Sequence, residues 1–144
     1  MDYEAFYRKL REPDLIPGYE ILQKIGGGVF GEVFKARKQS IGRIYVVKFL
    51  KIEGEAQRVV IEKELASLHN FAQIDHPNLV GIEDQGSVDG IPYIIMTFAG
   101  DETLQDRLAK GVMPAERRNS VFHQILSGVE GLHQRNIVHF DLKP

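Results

Sequence analysis

The chain has 144 residues, 43% hydrophobic and 26% charged, with a formal net charge of -2, the make-up of one soluble globular unit of ordinary size. So small a charge gathers neither nucleic acid nor an anionic membrane, and the lack of cysteine excludes disulfides, thiolate metal sites and a cysteine nucleophile. The charged N-terminus has no signal-peptide h-region and no apolar run approaches the roughly 20 residues of a membrane span, so a cytoplasmic protein with no membrane segment in this chain is expected.

Residues 2–11 predict a short amphipathic helix: Asp2 can cap it, and Tyr3, Phe6, Tyr7 and Leu10 fall at i, i+3, i+4 and i+7. Its aromatic stripe is expected to dock it on the body of the domain. Pro13 and Pro17-Gly18 break the chain. Tyr19–Ile25, Glu32–Arg37 and Arg43–Leu50 read as strands, the last two bracketing a turn at Gln39-Ser40-Ile41-Gly42. In the third of these, Tyr45, Val47 and Phe49 share one face, and Ile44, Val46 and Lys48 the other. Residues 55–70 predict a long helix with Val59, Ile61, Leu65 and Leu68 as its apolar positions. Asp75-His76-Pro77-Asn78 ends that pattern, since the residue before a proline disfavours helix. Leu79–Glu83 and Tyr93–Phe98 read as strands around a turn near Asp89-Gly90, the second with so little alternation that it is expected to be buried on both faces. Thr103–Ala109 predicts a short helix, and Ala115–Gln134 a longer one with Val121, Ile125, Val129 and Leu132 along one side. Strands first and helices later point to an α+β fold rather than to alternating βαβ units.

Two features carry chemistry. Gly26-Gly27-Gly28-Val29-Phe30-Gly31 satisfies G-x-G-x-x-G, a spacing that lets backbone N–H groups approach an anion without Cβ clashes. The pattern alone also suits a tight turn with no ligand. A dinucleotide site would put a helix straight after the third glycine. Here a strand follows, so a flap over phosphates between two strands fits better, and no Gly-Lys-Ser/Thr completes a Walker pattern. The second feature is Lys48, on the same strand face as Ile44 and Val46. A lysine there either snorkels to water from an edge or aims a cation at phosphates while a helix carboxylate holds it. Glu64 is the preferred partner, with Val60 and Leu68 at i-4 and i+4, and Glu62 is the alternative.

Glycine loop, strand Lys48, helix Glu64, His76-Pro77-Asn78, the strand ending near Phe98, a long helix and the terminal His139-Phe140-Asp141-Leu142-Lys143-Pro144 follow one another in the order of a protein kinase. Over residues 19–144 the chain resembles that family, of the Ser/Thr type. The resemblance implies a protein kinase-like fold with a complete N-lobe, an antiparallel sheet plus one long helix, and the first helices of the C-lobe. The implied divisions are a helical extension over 1–18, the N-lobe over 19–98, and the hinge and start of an incomplete C-lobe over 99–144. It implies ATP as cofactor, with Gly26, Gly28 and Gly31 over the phosphates and Ile25 before them among the nucleotide contacts. Val33 and Val46 would sandwich the adenine, and Met96 would guard the back pocket. Thr97, Phe98 and Ala99 would form the hinge, and Lys48, paired with Glu64, would contact the α- and β-phosphates. Asp141 would be the catalytic base and Lys143 would approach the transferred phosphate, while His139 packs beneath the site. Mg2+ is implied too, with no ligand assigned in this chain: the asparagine and aspartate that bind it are expected beyond Pro144.

The chain departs from the family pattern at Phe140, where arginine is usual, and in Leu68–Asp75, about three residues longer than usual. The expected function is phosphoryl transfer from ATP to Ser or Thr of protein substrates by the full-length parent, the 144 residues alone lacking the complete machinery. The alternatives are a pseudokinase or nucleotide-binding scaffold and, sharing the fold, a small-molecule phosphotransferase.

Overall fold

Alternation along residues 44–50 sets the architecture, because it gives one strand two different apolar faces. The computed structural model describes residues 3–10, 12, 14–28, 31–139, 142 and 143, with Tyr3 and Glu64 described by backbone alone. The elements are α1 (Tyr3–Lys9), β1 (Tyr19–Gly28), β2 (Gly31–Lys38), β3 (Ile44–Leu50), α2 (Glu55–Ala72), β4 (Ile82–Val88), β5 (Ile91–Thr97), α3 (Leu104–Ala109) and α4 (Ala115–His133). The strands form one five-stranded sheet in the order β1-β2-β3-β5-β4, antiparallel at every pairing. This is the expected α+β fold. No helix among the described residues is long and apolar enough to cross a membrane. The chain forms two compact units, Met1–Ile74 with Gly81–Phe98, and Asp75–Val80 with Ala99–Pro144.

In the first unit the sheet has a covered face and a half-covered one. Phe34, Ala36, Tyr45, Val47, Phe49, Tyr93 and Ile95 point to one side and form the main core with Phe6 of α1, with Leu10 just after it and with Ile16. The aromatic stripe of α1 thus docks on the sheet, as its spacing predicted. On the other side a smaller cluster joins Leu50 and Ile94 to Ile61 of α2, with Leu65, Leu68 and Met96 packed around it. Val59 does not join that stripe and is 43% exposed, because it lies about 200° round the helix from Ile61. The inner strand β5, between β3 and β4, is buried over Ile91–Ile95 on both faces, as its unbroken apolar run indicated.

One strand begins later than the sequence predicts. In place of Leu79–Glu83, β4 runs from Ile82 to Val88. The Leu79 N–H donates to the His76 carbonyl at 3.1 Å, closing a turn that keeps Leu79 out of the ladder. The polar run Gln85-Gly86-Ser87 shows little strand pattern because β4 is an edge with one neighbour, and its residues are largely exposed.

In the second unit α4 buries Gly128, Gly131 and Leu132. The glycines admit the loop 75–80: a Cβ on Gly128 would stand 3.0 Å from the Asn78 carbonyl oxygen, and one on Gly131 3.0 Å from His76 Cδ2. His76 Nδ1 accepts the Asn78 N–H at 3.1 Å, which leaves Nε2 to donate to Ser127 Oγ, 3.4 Å away.

Helix α3 has only six residues and no buried one, so its ends matter. Thr103 Oγ1 accepts the Asp106 N–H at 3.1 Å. The Asp106 carboxylate accepts the Thr103 hydroxyl at 2.6 Å and the Thr103 N–H at 2.9 Å, a reciprocal capping box. The hydroxyl first and the N–H second hold the Asp106 carboxyl below its ordinary range. A depressed folded-state pKa favours the folded state above the unfolded pKa of about 4 and loses that effect as pH falls through the lower folded value. We expect Thr103→Ala to cost about 1 kcal/mol and to move the Asp106 titration upward. Carbonyl NMR through an acid titration measures the second effect, and an unmoved Asp106 would discount the capping box.

Candidate functional site

The β2–β3–β5 register brings the predicted residues onto one sheet face. Val33 lies opposite Lys48, and Lys48 opposite Ile94. One row further along, Lys35 lies opposite Val46, and Val46 opposite Met96. Cross-strand partners point to the same side, so Val33, Val46, Lys48 and Met96 share the face that α1 does not cover, and all are half-buried. Apolar side chains with the Lys48 cation among them, and Lys35 on the same face, make a surface for a flat base with phosphates beside it. Met96 also packs with the α2 cluster, closing the inner end of the row.

The glycine ribbon continues this face. β1 extends three residues beyond its predicted end, and its pairing runs through Gly26↔Val33 and Gly27↔Glu32 to Gly28↔Gly31. Each glycine has its own surroundings. Gly28 has nothing within 4 Å of where a Cβ would stand, so its backbone is open to a ligand. Gly31 is tightly packed: its φ is +139°, and a Cβ would overlap the Phe49 carbonyl oxygen. The third glycine is therefore demanded by strand packing rather than by phosphate. A Cβ on Gly27 would overlap the carboxylate of Glu32, which pairs with Lys24. Ile25, just before the ribbon, is 41% exposed.

At the other end of the face the chain is pinned before it leaves the first unit. Thr97 donates its N–H to the Gly81 carbonyl at 2.9 Å and accepts the Gly81 N–H on Oγ1, also at 2.9 Å. That N–H is therefore committed and cannot donate to a base. Phe98 lies under the Lys35 ammonium, 4.6 Å from the ring centroid. Ala99 begins the second unit's share of the chain and is exposed.

On α2, position 64 falls on the stripe of Ile61, Leu65 and Leu68, whereas Glu62 is exposed. The Glu64 side chain lies outside the described residues. Asp141 does too, so its expected role as base is not located here. Lys143 is exposed and engaged with a neighbour. Lys35, Glu32 and the Gly81–Thr97 clasp were missed in the sequence. Lys35 could have been found, since it is two residues from Val33 and must share its face.

The residues present fit a nucleoside triphosphate: an open glycine backbone at Gly28, apolar groups at Val33, Val46 and Met96, and a cation at Lys48. Among the described residues no group of three His, Cys, Asp or Glu could hold a metal.

The sequence profile of the protein kinase domain matches residues 19–144. A probable serine/threonine-protein kinase of Clostridium perfringens is 33% identical over 127 residues, covering 88% of this chain and 18% of that protein. The serine/threonine-protein kinase PrkC of Bacillus subtilis is 32% identical over 127 residues, covering 88% of this chain and 20% of that protein. A serine/threonine-protein kinase of Myxococcus xanthus is 31% identical over 126 residues, covering 88% and 15%. The chain thus spans a fifth or less of the length of these relatives.

The unequal roles of the glycines give a test. Gly31→Ala meets backbone with no slack, and a cost of about 3 kcal/mol or more is expected. Gly28→Ala should leave stability within about 1 kcal/mol while weakening nucleotide binding. Denaturant melts and ATP titrations of both variants separate the effects, and equal melting points would overturn the assignment of Gly31 to strand packing.

Proposed function

The chain belongs to the protein kinase domain family, and from that premise we propose that the full-length gene product transfers the γ-phosphoryl group of ATP to Ser or Thr hydroxyls of protein substrates. The observation that carries the reading is the shared face of Val33, Val46, Lys48 and Met96 beside the glycine ribbon. On it, Val33 and Val46 flank the adenine, Met96 limits depth, and the backbone at Gly26 and Gly28 covers the phosphates. The hinge residues Thr97, Phe98 and Ala99 border the base. Since the Thr97 N–H is taken by Gly81, base recognition by donation falls to residues after it.

Lys48 holds the α- and β-phosphates, and a carboxylate at position 64 orients its ammonium. The exposure of Glu62 supports Glu64 over it. Asp141 accepts the proton of the substrate hydroxyl, and Lys143 stabilises charge on the transferred group. Mg2+, for which no ligand is assigned among the described residues, would supply neutralisation of charge on the triphosphate. Phosphoryl transfer needs little covalent help from protein, so positioning and charge supply most of the rate. The reading places the protein in the cytoplasm, where ATP is supplied.

With Mg2+-ATP and a generic protein acceptor, the full-length product is expected to phosphorylate Ser or Thr. Lys48→Met should lower kcat/KM about 100-fold or more with the melting temperature nearly unchanged. Undiminished transfer by that variant would remove Lys48 from the site. ATP binding by the parent without transfer would support the pseudokinase reading instead, and transfer to small amino alcohols alone would reassign the substrate.

A further inference from the structure

The two faces of the sheet communicate through one residue. Phe49 follows Lys48 in β3 and is fully buried on the opposite face. Its carbonyl oxygen leaves no room for a Cβ on Gly31, so any movement of Phe49 is felt at the end of the glycine ribbon as well as at Lys48. The Phe49 ring is packed edge-to-face by Phe6, Phe34 and Tyr93, with centroids 5.2, 5.8 and 6.0 Å away. Phe34 and Tyr93 belong to the sheet itself. Phe6 comes from α1, and its ring centroid is nearest of the three.

Of the residues that seat α1, Phe6 is the one whose ring meets Phe49, while Tyr7 lies against Phe34 with centroids 6.0 Å apart and Leu10, just after the helix, is buried in the same core. Beside Tyr7 and Leu10 the seat is open, with a cavity of about 450 Å³ reaching Ile21, Lys24, Glu32 and Phe34. The Lys9–Asp89 ion pair, at 3.1 Å, joins two half-exposed side chains and adds little. Phe6 is 4% exposed, as is Leu10, and of the two it is Phe6 that packs on the Phe49 ring.

We infer that Phe6 is a positioning residue for the nucleotide site: seating α1 fixes Phe49, and Phe49 fixes the separation of Lys48 from the glycine ribbon. The inference rests on the proposed ATP reading of the opposite face. Removing the Phe6 ring leaves a void that its neighbours fill only in part. The shift falls on Phe49, whose main chain has no clearance from Gly31. Nucleotide affinity then depends on the docking of a segment that touches no nucleotide, so the 1–18 segment is a place where a partner or modification displacing α1 would weaken ATP binding.

The test compares Phe6→Ala and Phe6→Leu with wild type in the full-length gene product. Phe6→Ala should raise KM for ATP about five-fold or more and leave kcat at saturating ATP within about two-fold. Phe6→Leu, which refills most of the seat, should recover most of the loss and serves alone if the alanine variant does not fold. Amide exchange, read well below the melting temperature, should quicken at Glu32–Phe34 and Val47–Phe49 as well as in α1. A lower melting temperature with unchanged KM for ATP and faster exchange confined to α1 would overturn the inference and leave Phe6 a stabilising residue only. If wild type neither binds ATP nor transfers phosphate, the proposed function fails, and the exchange comparison still decides whether Phe6 positions β2 and β3.

Discussion

Phe49 is held by rings on one side of the sheet while its neighbour Lys48 faces the other, and its carbonyl oxygen bears on Gly31. The arrangement follows from strand geometry: successive side chains must point to opposite faces, so a residue that anchors the core sits one position from a residue exposed to ligand. Each edge-to-face ring pair adds about 1 kcal/mol beyond the area it buries, and a packed ring does not move independently of its backbone. A lysine on an apolar strand face is costly to hold. Its strand here is fixed from behind by packing, so the front needs no packing of its own and remains open.

That openness separates the two faces. The back is closed over Val47, Phe49 and Ile95, all 1% exposed or less. The front has α2 over Leu50 and Ile94, with Met96 packed at the margin, leaving Val33, Val46 and Lys48 half-buried. A half-covered apolar face is where a ligand of matching shape gains most by excluding water. Its borders are fixed by unlike means: the Gly31–Phe49 approach at one end, and the Gly81–Thr97 hydrogen-bonded clasp with the Lys35–Phe98 stack at the other. Backbone contacts and a two-point clasp are less yielding than side-chain packing alone, which suits a site that must hold phosphates and a base at fixed separation.

Much of this was legible in the sequence where physics is local. Alternation in residues 44–50 gave the two faces of β3, the helical spacing of Phe6, Tyr7 and Leu10 gave a docked helix, and the unbroken run in β5 gave a strand buried on both faces. What failed depended on partners far along the chain. The start of β4 is set by the His76 turn and by Gly81 meeting Thr97, sixteen residues away, and an edge strand needs no apolar alternation to declare it. Val59 is apolar and on the helix, yet only the position of the sheet decides which stripe is inward. The duties of the glycines were likewise invisible, because G-x-G-x-x-G treats Gly28, open to a ligand, and Gly31, jammed against Phe49, as equals.

Phe140 bears on how such a site is regulated. In kinases that carry arginine at this position, the guanidinium often pairs with a phosphate on the activation loop, and that pairing ties activity to modification. A phenyl ring can make no such pair, so that route is closed to this chain through residue 140. On the proposed reading of the face, control through its geometry is open instead. The back of the sheet offers such a lever in α1, a short helix seated by Phe6, Tyr7 and the following Leu10, with its seat partly open. A seven-residue helix has little stability of its own, so its docked state persists only through the surface it covers. Displacing the helix uncovers Phe6 and Leu10, and Phe49 passes the consequence to Lys48 and Gly31.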